Sequence, residues 1–175
     1  MTSKIHPTAF IHPLADVEDG VEIGPRTKIW RWTHIMSGAV IGSDCMVGQG
    51  CSISSAVKIG NNVRIQNGCH LFDGVVLEDF VFLGPGVLTT NVKFPRSHRK
   101  GKFEQTLIKR NASVGAGVVI ICGVTLGEFC MCAASSCITR DVPPGVTIMG
   151  VPGVIKKSRA HQQELRDNKL TKEII

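Results

Sequence analysis

The chain has 175 residues, a net charge of +6, seven cysteines, few aromatics and no tyrosine. That length suits one domain. No segment is apolar for long enough to span a membrane, and Met1 to Thr8 lacks the apolar run of an export signal, so a cytoplasmic protein is expected. The positive balance points to anionic partners, but it is gathered into two clusters, and nucleic acid is not the expected partner.

From Ile5 onward an aliphatic residue stands at every sixth position: Ile5, Ile11, Val17, Ile23, Ile29, Ile35, Ile41, Val47, Ile53, Ile59, Ile65, Leu71, Leu77 and Leu83, fourteen hexads in register. Two places before each lies a second column, small or β-branched from Thr33 to Val81. Residues two apart on an extended strand share a face, so both columns point inward. A period of six fits neither a helix nor a long alternating strand and marks a hexapeptide β-helix. Gly20, Gly38, Gly50, Gly68, Gly74 and Gly86 stand three places after the aliphatic residue, with Asp44 and Asn62 in the same column. All three residue types tolerate the left-handed backbone a sharp corner needs. If three hexads close one triangular coil, residues 18 apart stack at the strand spacing of roughly 4.8 Å. Cys45, Cys51, Cys69, Cys130 and Cys132 fall in the inward columns and read as core residues, not as metal ligands or disulfides. Free buried thiols suit a reducing compartment.

Along the chain, residues 5 to 30 form the opening coils, with His6 and His12 on the outer surface. Trp30 and Trp32 follow, on a prism otherwise small or polar outside, and need cover from a neighbouring subunit or a stacked ligand. The ladder breaks after Thr89 and resumes at Ile108. The extruded segment, about 91–106, contains Pro95-Arg96-Ser97-His98-Arg99-Lys100-Gly101-Lys102, the first basic cluster, and such a loop in a regular scaffold favours phosphate contact. Residues 1–155 are thus one β-helix domain of about seven coils. Residues 156–175 are expected to form a short helical tail capping the open end, and Lys156, Lys157 and Arg159 form the second cluster.

The stretch from Trp30 to about Lys157 resembles the hexapeptide-repeat acyltransferases of left-handed parallel β-helix fold, and more narrowly the N-acetyltransferases of nucleotide-linked 3-amino sugars. The residues that carry the resemblance are Trp30 with His34-Ile35, Ile65-Gln66-Asn67, Asp73, Leu77-Glu78, Gly84-Pro85, Thr90-Asn91-Val92, Pro95-Arg96-Ser97 and Gly150-Val151-Pro152. It implies an all-β, left-handed homotrimer that binds acetyl-CoA and a UDP- or dTDP-linked amino sugar between subunits and serves surface polysaccharide synthesis. This chain departs from the pattern at Phe72, where relatives often carry Tyr, and at Gly68, where they carry Asn.

Acetyl transfer to an amine needs an unprotonated amine, a proton acceptor and donors for the tetrahedral oxyanion. The 18-residue rule stacks Asp73 beneath Asn91, so Asn91 is expected to position the amine and Asp73 to hold it or take its proton. His34 is the alternative base, but three coils and three residues separate it from Asn91, so only a neighbouring chain could bring them together. Gln66, Arg31, Trp32, Phe72 and Arg96 are the expected acceptor contacts, with Arg31 or Arg96 meeting any sugar carboxylate. Acetyl-CoA is expected along the later coils, its pantetheine at Gly115 and Ala133 and its phosphates at Lys109, Arg110, Lys156 or Lys157. Cys122 lies outside the core columns, but no histidine stacks near it to activate it. A trimeric zinc carbonic anhydrase would need three converging histidines. His34 and His70 stand two coils apart with no third, so no metal is expected. A non-catalytic ice-binding helix would need a repeating Thr column, which is missing. The alternative within the family is an O-acetyltransferase of a small hydroxylated acceptor.

Overall fold

A computed structural model describes residues 2–98 and 101–156. Two- and three-residue strands stack into three sheets, and as far as Cys137–Ile138 the strands pair in parallel with those three places away in the chain. The sheets are the walls of a prism. In the second coil Glu22–Ile23 lies in the first wall, Lys28–Ile29 in the second and His34–Ile35 in the third. Register follows the expected step of 18, as in Ile23 opposite Ile41 and Ile29 opposite Val47. Seven complete coils and the start of an eighth result.

From Val21 onward both inward columns are buried, while in the first coil Ile5 is 40% exposed and Ile11 and Val17 are half-buried. Ile41 is 2% exposed and Val47 fully covered, and Ile35, Ile53, Ile65, Leu83 and Ile120 are equally enclosed. Each such side chain contributes about 1.5–3 kcal/mol relative to exposure. The small column has a second duty. Thr27 Oγ1 donates to the Gly42 carbonyl, Thr33 Oγ1 to Gly48, Cys45 Sγ to Gly60, Cys51 Sγ to Gln66 and Cys69 Sγ to Gly84, each fifteen residues on. These carbonyls begin the corners, where the ladder has no donor for them, and a short hydroxyl or thiol fills the gap. Burial pushes the Cys45 thiol up, and the neighbouring thiols together with burial push Cys69 and Cys132 up. Cys122 is only 2% exposed, which removes it as a nucleophile toward substrate.

The corner column takes positive φ as expected at the six glycines, Asp44 and Asn62, and also at Arg26, Trp32, Phe80, Asn111, Phe129 and Ser135. Between the fifth and sixth coils the step rises to 31, with Val75 opposite Thr106, so thirteen extra residues are extruded. The eighth coil ends in an antiparallel pair, Thr147–Met149 against Val154–Lys156. Lys156 closes the second of these strands, which covers the last edge of the second wall. The expected helix over the remaining tail, with Lys157 and Arg159, lies outside the described residues. Among the described residues there is no helix, and none long and apolar enough to cross a membrane.

Candidate functional site

The predicted residues fall on the three edges of the prism. The edge between the third and first walls carries Ser37, Ser55, Asp73 and Asn91, as the stacking rule requires; His70 opposite Leu88 sets that register. Here the extruded segment leaves the scaffold and returns. Its foot is pinned by two backbone bonds: Glu104 N–H donates to the Asn91 carbonyl at 2.9 Å, and Thr106 N–H to the Gly74 carbonyl at 3.0 Å. Gly74 has φ +88°, and a Cβ there would stand 3.1 Å from the Glu104 carbonyl oxygen. Asp73 Oδ1 accepts the Ala56 N–H at 3.3 Å. Among the described residues the Asn91 side chain makes no hydrogen bond and none links it to Asp73, so the Asn91 amide and Asp73 Oδ2 are available to a ligand. Phe72 beside them is 40% exposed.

Above this corner a cavity of about 360 Å³ is lined by Val92, Lys93, Phe94, Arg96, Lys102 and Glu104. Three cations against one carboxylate make it a setting for an anion. Arg96 donates one Nη1–H to the Pro95 carbonyl, and its other donors have no partner among the described residues.

His34 sits on the outer face of the third wall, where sequence reasoning missed its partner. Its Nε2 lies 2.8 Å from Glu18 Oε1 and 3.8 Å from Asp16 Oδ2. Glu18 Oε2 accepts the Ser37 N–H at 2.8 Å. The Ser37 N–H and the His34 ring together hold the Glu18 carboxyl below its usual range. The signal was present: the 18-residue rule stacks Asp16 under His34, and Glu18 shares that strand's face two places on. Within one chain His34 remains three coils from Asn91.

The edge between the second and third walls carries Trp30, Arg31 and Trp32, then Gln66, then Gly115 and Ala133. At Gly50, Gly68 and Gly86 an added Cβ would meet no atom within 4 Å. The backbone is therefore bare along this edge, and with Ala116, Gly117 and Ala134 continuing it, a thin flexible chain such as pantetheine fits against it. Lys109 and Arg110 lie on the remaining edge. Arg110 is engaged by Asp79 Oδ2 at 2.8 Å and the Phe80 ring at 5.7 Å, whereas the Lys109 ammonium has no ion pair among the described residues, so Lys109 is the better phosphate partner. Lys156 is exposed on the terminal strand.

With this geometry in view, residues 21–55 and 38–73 match the bacterial transferase hexapeptide (six repeats) model. Over 54 residues the chain is 45% identical to dTDP-3-amino-3,6-dideoxy-alpha-D-galactopyranose 3-N-acetyltransferase of Aneurinibacillus thermoaerophilus, covering 31% of this chain and 28% of that protein. Over 82 residues it is 30% identical to a galactoside O-acetyltransferase of Lactococcus lactis, covering 44% of this chain and 40% of that one. The chain thus spans well under half the length of these curated relatives. Among solved structures, a hexapeptide-repeat acetyltransferase from Vibrio cholerae O1 biovar eltor, complexed with acetyl coenzyme A, superposes with a TM-score of 0.64 at 26% identity, over 69% of this chain and 70% of that one. An N-acyltransferase from Bacillus cereus, solved with dTDP and coenzyme A, shares the fold at a TM-score of 0.59 and 17% identity, over 99% of this chain and 91% of that one.

Proposed function

Because the chain belongs to the hexapeptide-repeat acyltransferase family, we propose that it moves an acetyl group from acetyl-CoA to the amine of a UDP- or dTDP-linked amino sugar, in surface polysaccharide synthesis. The observation that carries this reading is the Asp73–Asn91 corner at the foot of a cation-lined insertion. The Asp73 carboxylate attracts the sugar ammonium and is the acceptor to which it can lose a proton; the Asn91 amide oxygen then aims the lone pair. Lys93, Arg96 and Lys102 offer charge to a phosphate or a sugar carboxylate. The similarity to a dTDP-amino-sugar N-acetyltransferase over 54 residues supports the acceptor class.

Acetyl-CoA supplies the activated acyl carbon, and the residues that would hold it are the bare backbone around Gly115 and Ala133, with Lys109 and Lys156 toward its phosphates. The left-handed coil of the family and a homotrimer with sites between subunits belong to the same reading. In such a trimer a neighbouring prism offers its His34 to the Asn91 corner. Buried, unpaired thiols support a cytoplasmic setting.

A second reading, an O-acetyltransferase of a small hydroxylated acceptor, is favoured by the His34–Glu18 pair, since a histidine oriented by a carboxylate suits proton removal from a hydroxyl, and by the galactoside O-acetyltransferase similarity. Release of CoA thiol from acetyl-CoA against a panel of UDP- and dTDP-amino sugars and simple glycosides separates the two. Turnover is expected with the amines, and turnover with glycosides alone would replace the first reading with the second.

A further inference from the structure

Trp30, Arg31 and Trp32 open the edge between the second and third walls, and the Asp73–Asn91 corner does not use them. Trp30 packs edge-on to Phe10 at 5.7 Å. Trp32 stays 63% exposed at φ 60°, with the Arg31 guanidinium 5.7 Å from its ring. That backbone is the rule of the corner column, but of the three aromatic residues standing in it, Trp32, Phe80 and Phe129, Trp32 is the most exposed, and an uncovered indole face is a surface for a planar partner. Beside it lies a cavity of about 220 Å³ bounded by Trp30, Arg31, Met46, Gly48, Gln49 and Asn67. That volume is small for a complete ligand and suits one planar ring.

The polar groups of this cavity have open valences. Asn67 Oδ1 accepts the Gln49 N–H at 3.1 Å, which leaves its Nδ2 without a partner among the described residues. The Gln49 side-chain amide makes no hydrogen bond there at all. A neighbouring copy that filled the cavity itself would have to bury an unpaired amide and a cation, which is unfavourable, whereas in the homotrimer proposed above a copy standing beside it would bring its own Asp73–Asn91 corner toward a ligand seated here. A planar ring with an adjacent donor and acceptor satisfies the amide instead.

We infer that this cavity holds the pyrimidine base of the acceptor nucleotide, and that Gln49 reads it. The imide N3–H of uracil or thymine donates to Gln49 Oε1, Gln49 Nε2–H donates to the adjacent ring carbonyl, a tryptophan ring covers one face, and Arg31 meets the first phosphate. This rests on the nucleotide-sugar reading above and adds to it the residue that chooses the base.

The test uses an accident of composition. The chain has two tryptophans and no tyrosine, and both tryptophans stand at this corner, so intrinsic emission of the full-length protein reports on it alone. Titration with UDP, dTDP, ADP and uridine should give saturable quenching by UDP or dTDP, at least about tenfold weaker binding of ADP, and weak binding of uridine, which lacks the phosphates. Gln49→Leu, at an exposed position, should raise the Kd for the preferred nucleotide about tenfold with an unchanged circular dichroism spectrum. Trp32→Ala should weaken binding similarly. Absence of saturable quenching in a preparation that does acetylate a nucleotide amino sugar would overturn the inference and leave the transfer reading standing. Quenching by UDP or dTDP without any transfer would support the pocket and sink the transfer reading. Tighter binding of ADP, or emission that follows protein concentration and not nucleotide, would overturn it in favour of adenine or of a second copy.

Discussion

Gly74→Ala and Gly38→Ala form a matched pair that isolates the role of the insertion's foot. Both glycines lie on the same edge with φ +88°, and at both an added Cβ would stand 3.1 Å from a backbone carbonyl oxygen: Glu104 above Gly74, Ser55 above Gly38. The local cost is therefore the same, about 1–2 kcal/mol for a left-handed L-residue, plus a shift of a few tenths of an ångström in the carbonyl above. For a domain of this size that corresponds to a fall in Tm of about 2–8 °C. The difference lies in what moves. Above Gly38 it is an ordinary corner, whereas above Gly74 it is the segment whose Glu104 N–H holds the Asn91 carbonyl. Displacement of a positioning group by part of an ångström lowers turnover by about tenfold. Thermal melts and CoA-thiol release on both variants are thus expected to show equal destabilisation, with turnover lost only in Gly74→Ala. Equal turnover in the two variants would refute the assignment of Asn91 and its clamp to the reaction centre.

Three further outcomes follow from the same geometry. Asn91→Ala should lower turnover tenfold or more with the melting curve little changed, since its side chain has no hydrogen-bond partner among the described residues; steady-state kinetics with a nucleotide amino sugar check this. Leu71→Ala, at a position 1% exposed, should cost about 2–5 kcal/mol through the cavity left inside the coil, measured by denaturant unfolding. Arg26 holds the Asp44 carboxyl below its usual range, as Ser37 and His34 do for Glu18. A depressed carboxylate stabilises the fold above its unfolded pKa and loses that contribution as pH falls through the folded value. Melting temperature should therefore decline below about pH 4.5, and more shallowly in Asp44→Asn combined with Glu18→Gln.

The ladder from Ile5 to Leu83 was legible because the inward columns obey one steric rule on every wall, and the same rule placed Asp73 and Asn91 on one edge. The ladder also located the extrusion, because its break after Thr89 and its resumption at Ile108 bracket the segment inside the step of 31. It failed past Ile138, where the Pro143-Pro144-Gly145 run breaks the count, so Met131 stands opposite Thr147 at a step of 16. The antiparallel closing strand could not be read from a period that had ended. The small column was read as packing alone, yet Thr27, Thr33, Cys45, Cys51 and Cys69 also satisfy corner carbonyls, a duty that spacing by 15 discloses once the coil is known. At the site, charges were legible as composition but their pairing was not. Arg110 and Lys109 look equivalent in sequence, and only the placement of Asp79 and Phe80 separates them.

The most direct measurement is the position of the new acetyl group on a UDP- or dTDP-amino sugar that carries both an amine and free hydroxyls, incubated with acetyl-CoA and the full chain and read by NMR of the product. An amide at the amino carbon, stable to mild base, is the predicted result. An acetyl ester on a sugar hydroxyl with the amine left free would contradict the account.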